Sequence, residues 1–178
     1  MRLSENLIIA RVVLALAVVL ALVVGGGNAL KDQRGELVAQ FSAPSESISA
    51  ELQEMRSNAA TLVSIAQAYE ASSKDCIAGL NDAIAQLDAA EDAAAMYAAS
   101  LALDSAVENC YSDLSRMTLS ENDTADARYK YKNFTSAQLR ITHDNYNVLA
   151  AEFNSELAAF PANLLAMIRG IKPLSLFQ

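Results

Sequence analysis

Cys76, Cys110 and His143 are the residues of this chain best suited to act as a nucleophile and its base, or to hold a transition metal. A cysteine nucleophile needs an imidazole within hydrogen-bond reach, and nothing in the spacing of these three pairs His143 with either thiol. A di-iron helical bundle needs Glu-x-x-His on two helices. His143 is the single histidine, and position 140 is Arg. No C-x-x-C and no Cys/His cluster is present, so no zinc site is read. Asp123 and Asp126 lack the alternating pattern of a calcium loop. Glycine is confined to Gly25-Gly26-Gly27 and to isolated positions, which makes no phosphate-cradling loop. The expectation is therefore no catalytic residue, no cofactor-binding residue, no metal ligand and no cofactor. The protein is read as not an enzyme, with no small-molecule substrate evident.

Other polar residues raise structural questions. Asn147 and Asn154 each follow a large aromatic, in Tyr146-Asn147 and Phe153-Asn154, one heptad apart. They either touch solvent at the flank of a helix or hydrogen-bond to a neighbouring helix and fix its register, as a polar core residue can in a coiled coil. His143-Asp144 reads as a solvated pair. Asn122-Asp123-Thr124 and Asn133-Phe134-Thr135 fit the glycosylation acceptor pattern, which matters only where the host glycosylates and this part of the chain is outside the cell.

The elements that position these residues are helical. Residues 146–160 read YNVLAAEFNSELAAF, with Tyr146, Leu149, Phe153, Leu157 and Phe160 at steps of three and four, and Pro161 closes the run. That stripe predicts the end of a long helix over about 122–160, which also carries Tyr129, Phe134, Leu139 and Thr142. A second helix is predicted over about 44–71, capped by Ser42, from the heptad stripe Ile48, Leu52, Met55, Ala59, Leu62, Ala66 and Tyr69. Between them, Ser72-Ser73-Lys74-Asp75 is a turn-and-cap signal. Ile77, Leu80, Ile84 and Leu87, an Ala-rich run over 89–102, and then Val107, Tyr111 and Leu114 predict one long helix over about 74–111. In such a helix Cys76 and Cys110 stand roughly 50 Å apart, far beyond disulfide reach. A bridge between them would disprove the single helix. Residues 112–124 read as the long loop. Residues 70–126 hold only Lys74 and Arg116 against a dozen acids, so pairing with Arg128, Lys130, Lys132 and Arg140 is expected. Beyond Pro161, a short helix over 162–169 ends at Gly170. The apolar residues beyond Pro161, namely Leu164, Leu165, Met167, Ile168, Ile171, Leu174, Leu176 and Phe177, are expected to fold back on the bundle; an exposed interaction surface is the competing reading.

The N-terminus carries a different signal. Residues 7–24 (LIIARVVLALAVVLALVV) hold a single charge, Arg11, and are just long enough to cross a bilayer. We read a retained single-pass anchor that touches membrane lipid through residues 7–24; a cleaved signal peptide is the competing reading. Gly25-Gly26-Gly27 is expected to end or loosen this helix and to act as a hinge. Arg2 and Arg11 on one flank nearly balance Lys31 and Arg34 on the other, so the positive-inside rule is close to a tie. The signal-like order favours a body outside the cytoplasm. Residues 1–34 carry four cations against two anions, about +2, which leaves −10 for the remainder of a net −8. So acidic a body excludes nucleic acid as a partner.

The C-terminal residues resemble a known family. Tyr146-Asn147, Phe153-Asn154, Leu157, Phe160-Pro161-Ala162-Asn163-Leu164-Leu165-Ala166 and Gly170 look like the closing signature of the LemA family. Tyr111-Ser112-Asp113-Leu114 resembles that family's Tyr-Pro-Asp-Leu, and Leu62-Val63 with Tyr69 fit its first long helix. The likeness is specific over about 111–177. Elsewhere the family's usual Trp is absent and its Pro-Asn before Leu-Val is Ala60-Thr61. The resemblance implies a bacterial, membrane-anchored antiparallel bundle and brings no established activity.

The expected architecture is all-α: an N-terminal transmembrane helix followed by an antiparallel bundle of three long helices and a short C-terminal helix. Residues 1–29 form the anchor, or a signal-like segment, with its Gly hinge, and 30–178 a LemA-like helical-bundle domain. The expected function is a non-catalytic scaffold that docks other membrane or envelope proteins, through the acidic face of 74–111 and the apolar tail. Sensing and signal relay is the alternative.

Overall fold

A computed structural model of the chain describes residues 2–178, with the side chains of all but 2–9, 19, 20, 22 and 70–73. The elements in order are α1 (Arg2–Phe41), α2 (Ile48–Gln67), α3 (Glu70–Asp88), α4 (Ala93–Arg116), α5 (Glu121–Thr142), α6 (Tyr146–Ala158) and α7 (Ala162–Arg169). The fold is all-α, an apolar N-terminal helix and a helical bundle. Two compact units emerge: Met1–Val38 with Val148–Leu174, and Ala39–Asn147 with Ser175–Gln178.

The second unit is a bundle of α2–α5 in which α2 packs on α3, α4 and α5, α3 on α4, and α4 on α5. The heptad stripe of α2 is buried as expected, from Ile48 through Leu52, Met55, Ala59 and Leu62 to Ala66. Its cap is Ser47 and not Ser42. The Ser47 hydroxyl oxygen accepts the Ala50 N–H at 3.1 Å, and its proton goes to the Ala43 carbonyl at 2.6 Å. Pro44 thus precedes the helix instead of filling its first turn.

The expected single helix over 74–111 is two helices. The chain turns at Ala68-Tyr69, ahead of the expected signal at 72–75, and again between Asp88 and Ala93. Asp92 caps α4 by accepting the Ala95 N–H at 2.9 Å. Propensity favours helix through these alanines, but burial decides the outcome. An unbroken helix leaves its two apolar stripes without partners. The reversal lets Cys76, Leu80, Ala83 and Leu87 of α3 pack with Ala99, Leu103, Val107 and Cys110 of α4. It also brings the Cys76 and Cys110 Cα atoms to 4.8 Å, and the two are joined as a disulfide. The separation expected from one straight helix is thereby overturned.

The expected helix over 122–160 is likewise two. α5 starts at Glu121, where the Ser120 hydroxyl accepts the Asp123 N–H, so the loop shortens to Met117–Ser120. The break after Thr142 is local. The Asp144 carboxylate accepts the Tyr146 N–H at 2.7 Å, giving the chain an alternative to the helical bond. Within α5 the buried residues are Ala127, Phe134 and Ala137, whereas the expected stripe members Tyr129 and Leu139 are exposed. Tyr131 stacks on Tyr111 at 4.1 Å.

The ion pairs also differ from expectation. Arg140 of α5 reaches α2, donating to Glu51 at 2.8 Å and Glu54 at 2.6 Å. Arg56 of α2 grips Asp88 with two bonds, 2.6 and 2.7 Å. Among the described residues no ion pair joins α5 to α3 or α4. The α2 stripe sets this pattern, because packing α2 at the centre places its carboxylates beside α5.

Two carboxylates are held below their ordinary range. The guanidinium of Arg56 does this for Asp88, chiefly by hydrogen bonding, with desolvation opposing and a smaller contribution from its charge. Asp123 is held down by hydrogen bonds from the Ser120 and Tyr69 hydroxyls, each at 2.7 Å. A lowered native value means that ionisation favours the fold. The contribution is complete above the unfolded value near 4 and is lost as pH falls through the native values. The melting temperature should therefore fall below about pH 4. Asp88→Asn/Asp123→Asn should flatten that part of the profile, and an unchanged profile in the variant would refute the assignment.

In the first unit α1 continues without interruption through Gly25-Gly26-Gly27, so the expected end or loosening of the helix there is corrected. The glycines serve close packing instead. A Cβ on Gly26 would lie 2.8 Å from Leu165 Cδ1, and one on Gly27 would lie 2.8 Å from Arg169 Cγ. α7 therefore sits directly on the glycine face of α1. Gly170 ends α7 as expected, in the left-handed conformation (φ 66°), and the Ile171 N–H returns to the Ala166 carbonyl at 2.9 Å.

Candidate interaction site: the asparagines of α6 and the C-terminal tail

Asn147 and Asn154 use their side-chain amides as a stretch of backbone would. In the second unit Asn147 Nδ2 donates to the Phe177 carbonyl at 2.7 Å, and its Oδ1 accepts the Phe177 N–H at 2.7 Å. In the first unit Asn154 Nδ2 donates to the Leu174 carbonyl at 2.9 Å, and its Oδ1 accepts the Leu174 N–H at 2.7 Å. Each amide thus satisfies both main-chain groups of one residue. Hydrogen bonding was one of the two readings of these asparagines. The partner differs, being the C-terminal tail and not a helix.

Apolar contacts accompany the amide pairs. In the second unit the Phe41 ring lies 4.7 Å from Tyr146 and 6.3 Å from Phe177, and Phe177 meets Tyr97 edge-on at 5.2 Å. The Tyr146 hydroxyl donates to the Ser175 carbonyl at 2.8 Å. Leu174 and Phe177 are buried, so the end of the tail folds back as expected, whereas Leu164, Met167 and Ile168 of α7 are exposed. Of the stripe in 146–160, Tyr146, Phe153 and Leu157 are buried and Leu149 half-buried, but Phe160 is 81% exposed.

Removing one amide tests this arrangement. Asn154→Ala strips both partners from a buried main-chain residue, and the cost should be about 1–3 kcal/mol. Thermal unfolding should show it, and limited proteolysis should open the tail after Lys172. A variant with wild-type melting and an intact tail would contradict the assigned bonds.

The three residues with the best chemical credentials are not brought together as a nucleophile and its base. Cys76 and Cys110 are bonded to each other, and neither is a free thiol. His143 caps the end of α5 and is exposed. Among the described residues no group of three or more His, Cys, Asp and Glu could hold a metal ion. Sequence reasoning missed Ser175, Phe41 and Tyr97 as partners of the tail. No protein-family model, curated protein or solved structure matches the chain.

Proposed function

We propose that this protein is a non-catalytic, single-pass membrane protein whose helical body serves as a scaffold for other membrane or envelope proteins. One observation carries the reading: α1 is long and apolar enough to cross a bilayer, yet the described side chains of its apolar window are almost all uncovered by protein. Val13, Leu14 and Leu16 are each about 60% exposed, so α1 is not the core helix of a bundle. A helix apolar on all sides and uncovered is suited to lipid as its solvent. The LemA-like residues of 146–170 support the same reading, since the asparagines in them bind the tail and leave no reactive group.

The disulfide supports a body outside the cytoplasm, because structural disulfides persist in oxidising compartments. The scaffold surface is the acidic face of α3 and α4, where Asp82, Glu91, Glu108 and Asp113 are exposed. A photo-crosslinker placed at Leu101, an exposed position of α4, should trap discrete partners in intact membranes. Asp82→Asn/Glu91→Gln/Glu108→Gln should lose those adducts while keeping the wild-type helical spectrum. Adducts that survive in the variant would reject the acidic face as the docking surface. Absence of any adduct would reject the scaffold.

A relay reading has its own observation, the continuity of α1 past the apolar run. A helix without a hinge transmits rotation or translation along its axis. Pro substituted at Val38 breaks that continuity. A relay requires loss of every downstream response in this variant, and full retention would dismiss it.

A further inference from the structure

The first unit holds a cleft of about 440 Å³ beside the end of the apolar run, lined by Lys31 and Arg34 of α1 and by Arg169 and Lys172 at the end of α7. Four cations converge there in a chain of net charge −8. Among the described residues none of the four is in an ion pair. Two are held in place by neutral partners. Arg34 Nε donates to the Lys172 carbonyl at 2.9 Å. Arg169 Nη2 donates to the Val24 carbonyl and to Asn28 Oδ1, both at 3.3 Å. The guanidinium groups keep donors to spare, since each has five N–H bonds. Like charges brought together without counter-charges call for an anion.

The position of the cleft identifies the anion. Residues 7–24 as a helix span about 27 Å, close to the hydrocarbon thickness of a bilayer. The cleft begins at Gly27, three residues beyond, and so falls among the lipid head groups. A second observation agrees. Leu164, Met167 and Ile168, at helical spacing on one face of α7, are exposed, and so is Phe160 before it; Met167 and Phe160 are each about 80% exposed. Gly26 and Gly27 hold the opposite face of α7, at Leu165 and Arg169, against α1. An amphipathic helix fixed at that level lies in the interface with its apolar face towards the acyl chains and its cations among the phosphates.

We propose that the cleft formed by Lys31, Arg34, Arg169 and Lys172 binds the phosphate of an anionic phospholipid in the leaflet next to the C-terminal end of the membrane span, with α7 lying in the interface beside it. The chemistry recognised is a phosphate oxyanion; the source is lipid, because the exposed apolar face of α7 has no use for free phosphate. The inference rests on the membrane-anchored reading of α1.

The full chain is reconstituted in nanodiscs of phosphatidylcholine containing a minor fraction of phosphatidylglycerol, and retained lipid is identified by native mass spectrometry. Wild type should retain phosphatidylglycerol above its bulk fraction. Lys31→Gln/Lys172→Gln leaves the Arg34 and Arg169 hydrogen bonds in place, and should cut the enrichment roughly fivefold per charge removed. A second variant, Met167→Gln/Ile168→Gln, should also lower retention, while inorganic phosphate added to the detergent-solubilised chain should neither bind tightly nor displace the lipid. Equal retention of both lipids by wild type, or unchanged enrichment in the charge variant, overturns the proposal while leaving the anchor intact. Displacement by millimolar inorganic phosphate overturns the lipid as the source. Failure of the chain to enter nanodiscs at all overturns the anchor and the cleft together.

Discussion

Phe153→Ala lowers the unfolding free energy by about 3–5 kcal/mol, the usual range for truncating a fully buried ring. Phe153 is 1% exposed and lies on α6 between the asparagines that hold the tail. Its loss leaves a cavity and loosens the seat of α6 on its neighbours. Phe160→Ala is the matched control. Phe160 continues the same stripe in sequence but is 81% exposed, so its truncation should change stability by no more than about 0.5 kcal/mol. Denaturant unfolding of the full chain in detergent, followed by helical circular dichroism, reads both. Equal effects of the two substitutions would show that the register of α6 is wrong.

Reduction of the Cys76–Cys110 disulfide has the second large effect. The bond closes a loop with a sequence separation of 34. Freeing a loop of that length costs about 3–4 kcal/mol through the entropy of the unfolded chain. For a chain of this size the melting temperature should drop by roughly 10 °C. Cys76→Ala/Cys110→Ala should melt with the reduced wild type and should not respond to reductant. Alkylation of both thiols without prior reduction would remove the disulfide.

The sequence made some of this fold legible and hid the rest for definable reasons. The α2 stripe was readable because positions at steps of three and four leave no competing period; its members Ile48 through Ala66 are buried, while Tyr69 falls beyond the end of α2 and is half-buried. The break within 74–111 was hidden because alanine-rich sequence is helical by propensity, while the gain from folding α3 onto α4 depends on contacts between distant residues. Asp92 was the local sign of that break, as a capping residue inside an alanine run. Asp144 played the same part between α5 and α6. Gly25-Gly26-Gly27 read as a hinge because glycine weakens an isolated helix; Leu165 and Arg169, about 140 positions away, turn the same residues into a packing face. The asparagine pairs stood out by their heptad spacing. Their partner was unreadable, since a main-chain carbonyl and N–H carry no side-chain signature. The basic cleft combines Lys31 and Arg34 with Arg169 and Lys172, which only the contact of α1 and α7 brings together.

The most direct test of the account is protease digestion of sealed, right-side-out membrane vesicles carrying the full chain, followed by an alkaline carbonate wash. The account predicts that protease added outside removes the helical body, and that a fragment containing residues 7–24 stays in the membrane pellet after the wash. Recovery of the intact chain in the carbonate supernatant would contradict the membrane span. A body fully protected from external protease would contradict its placement outside the cytoplasm.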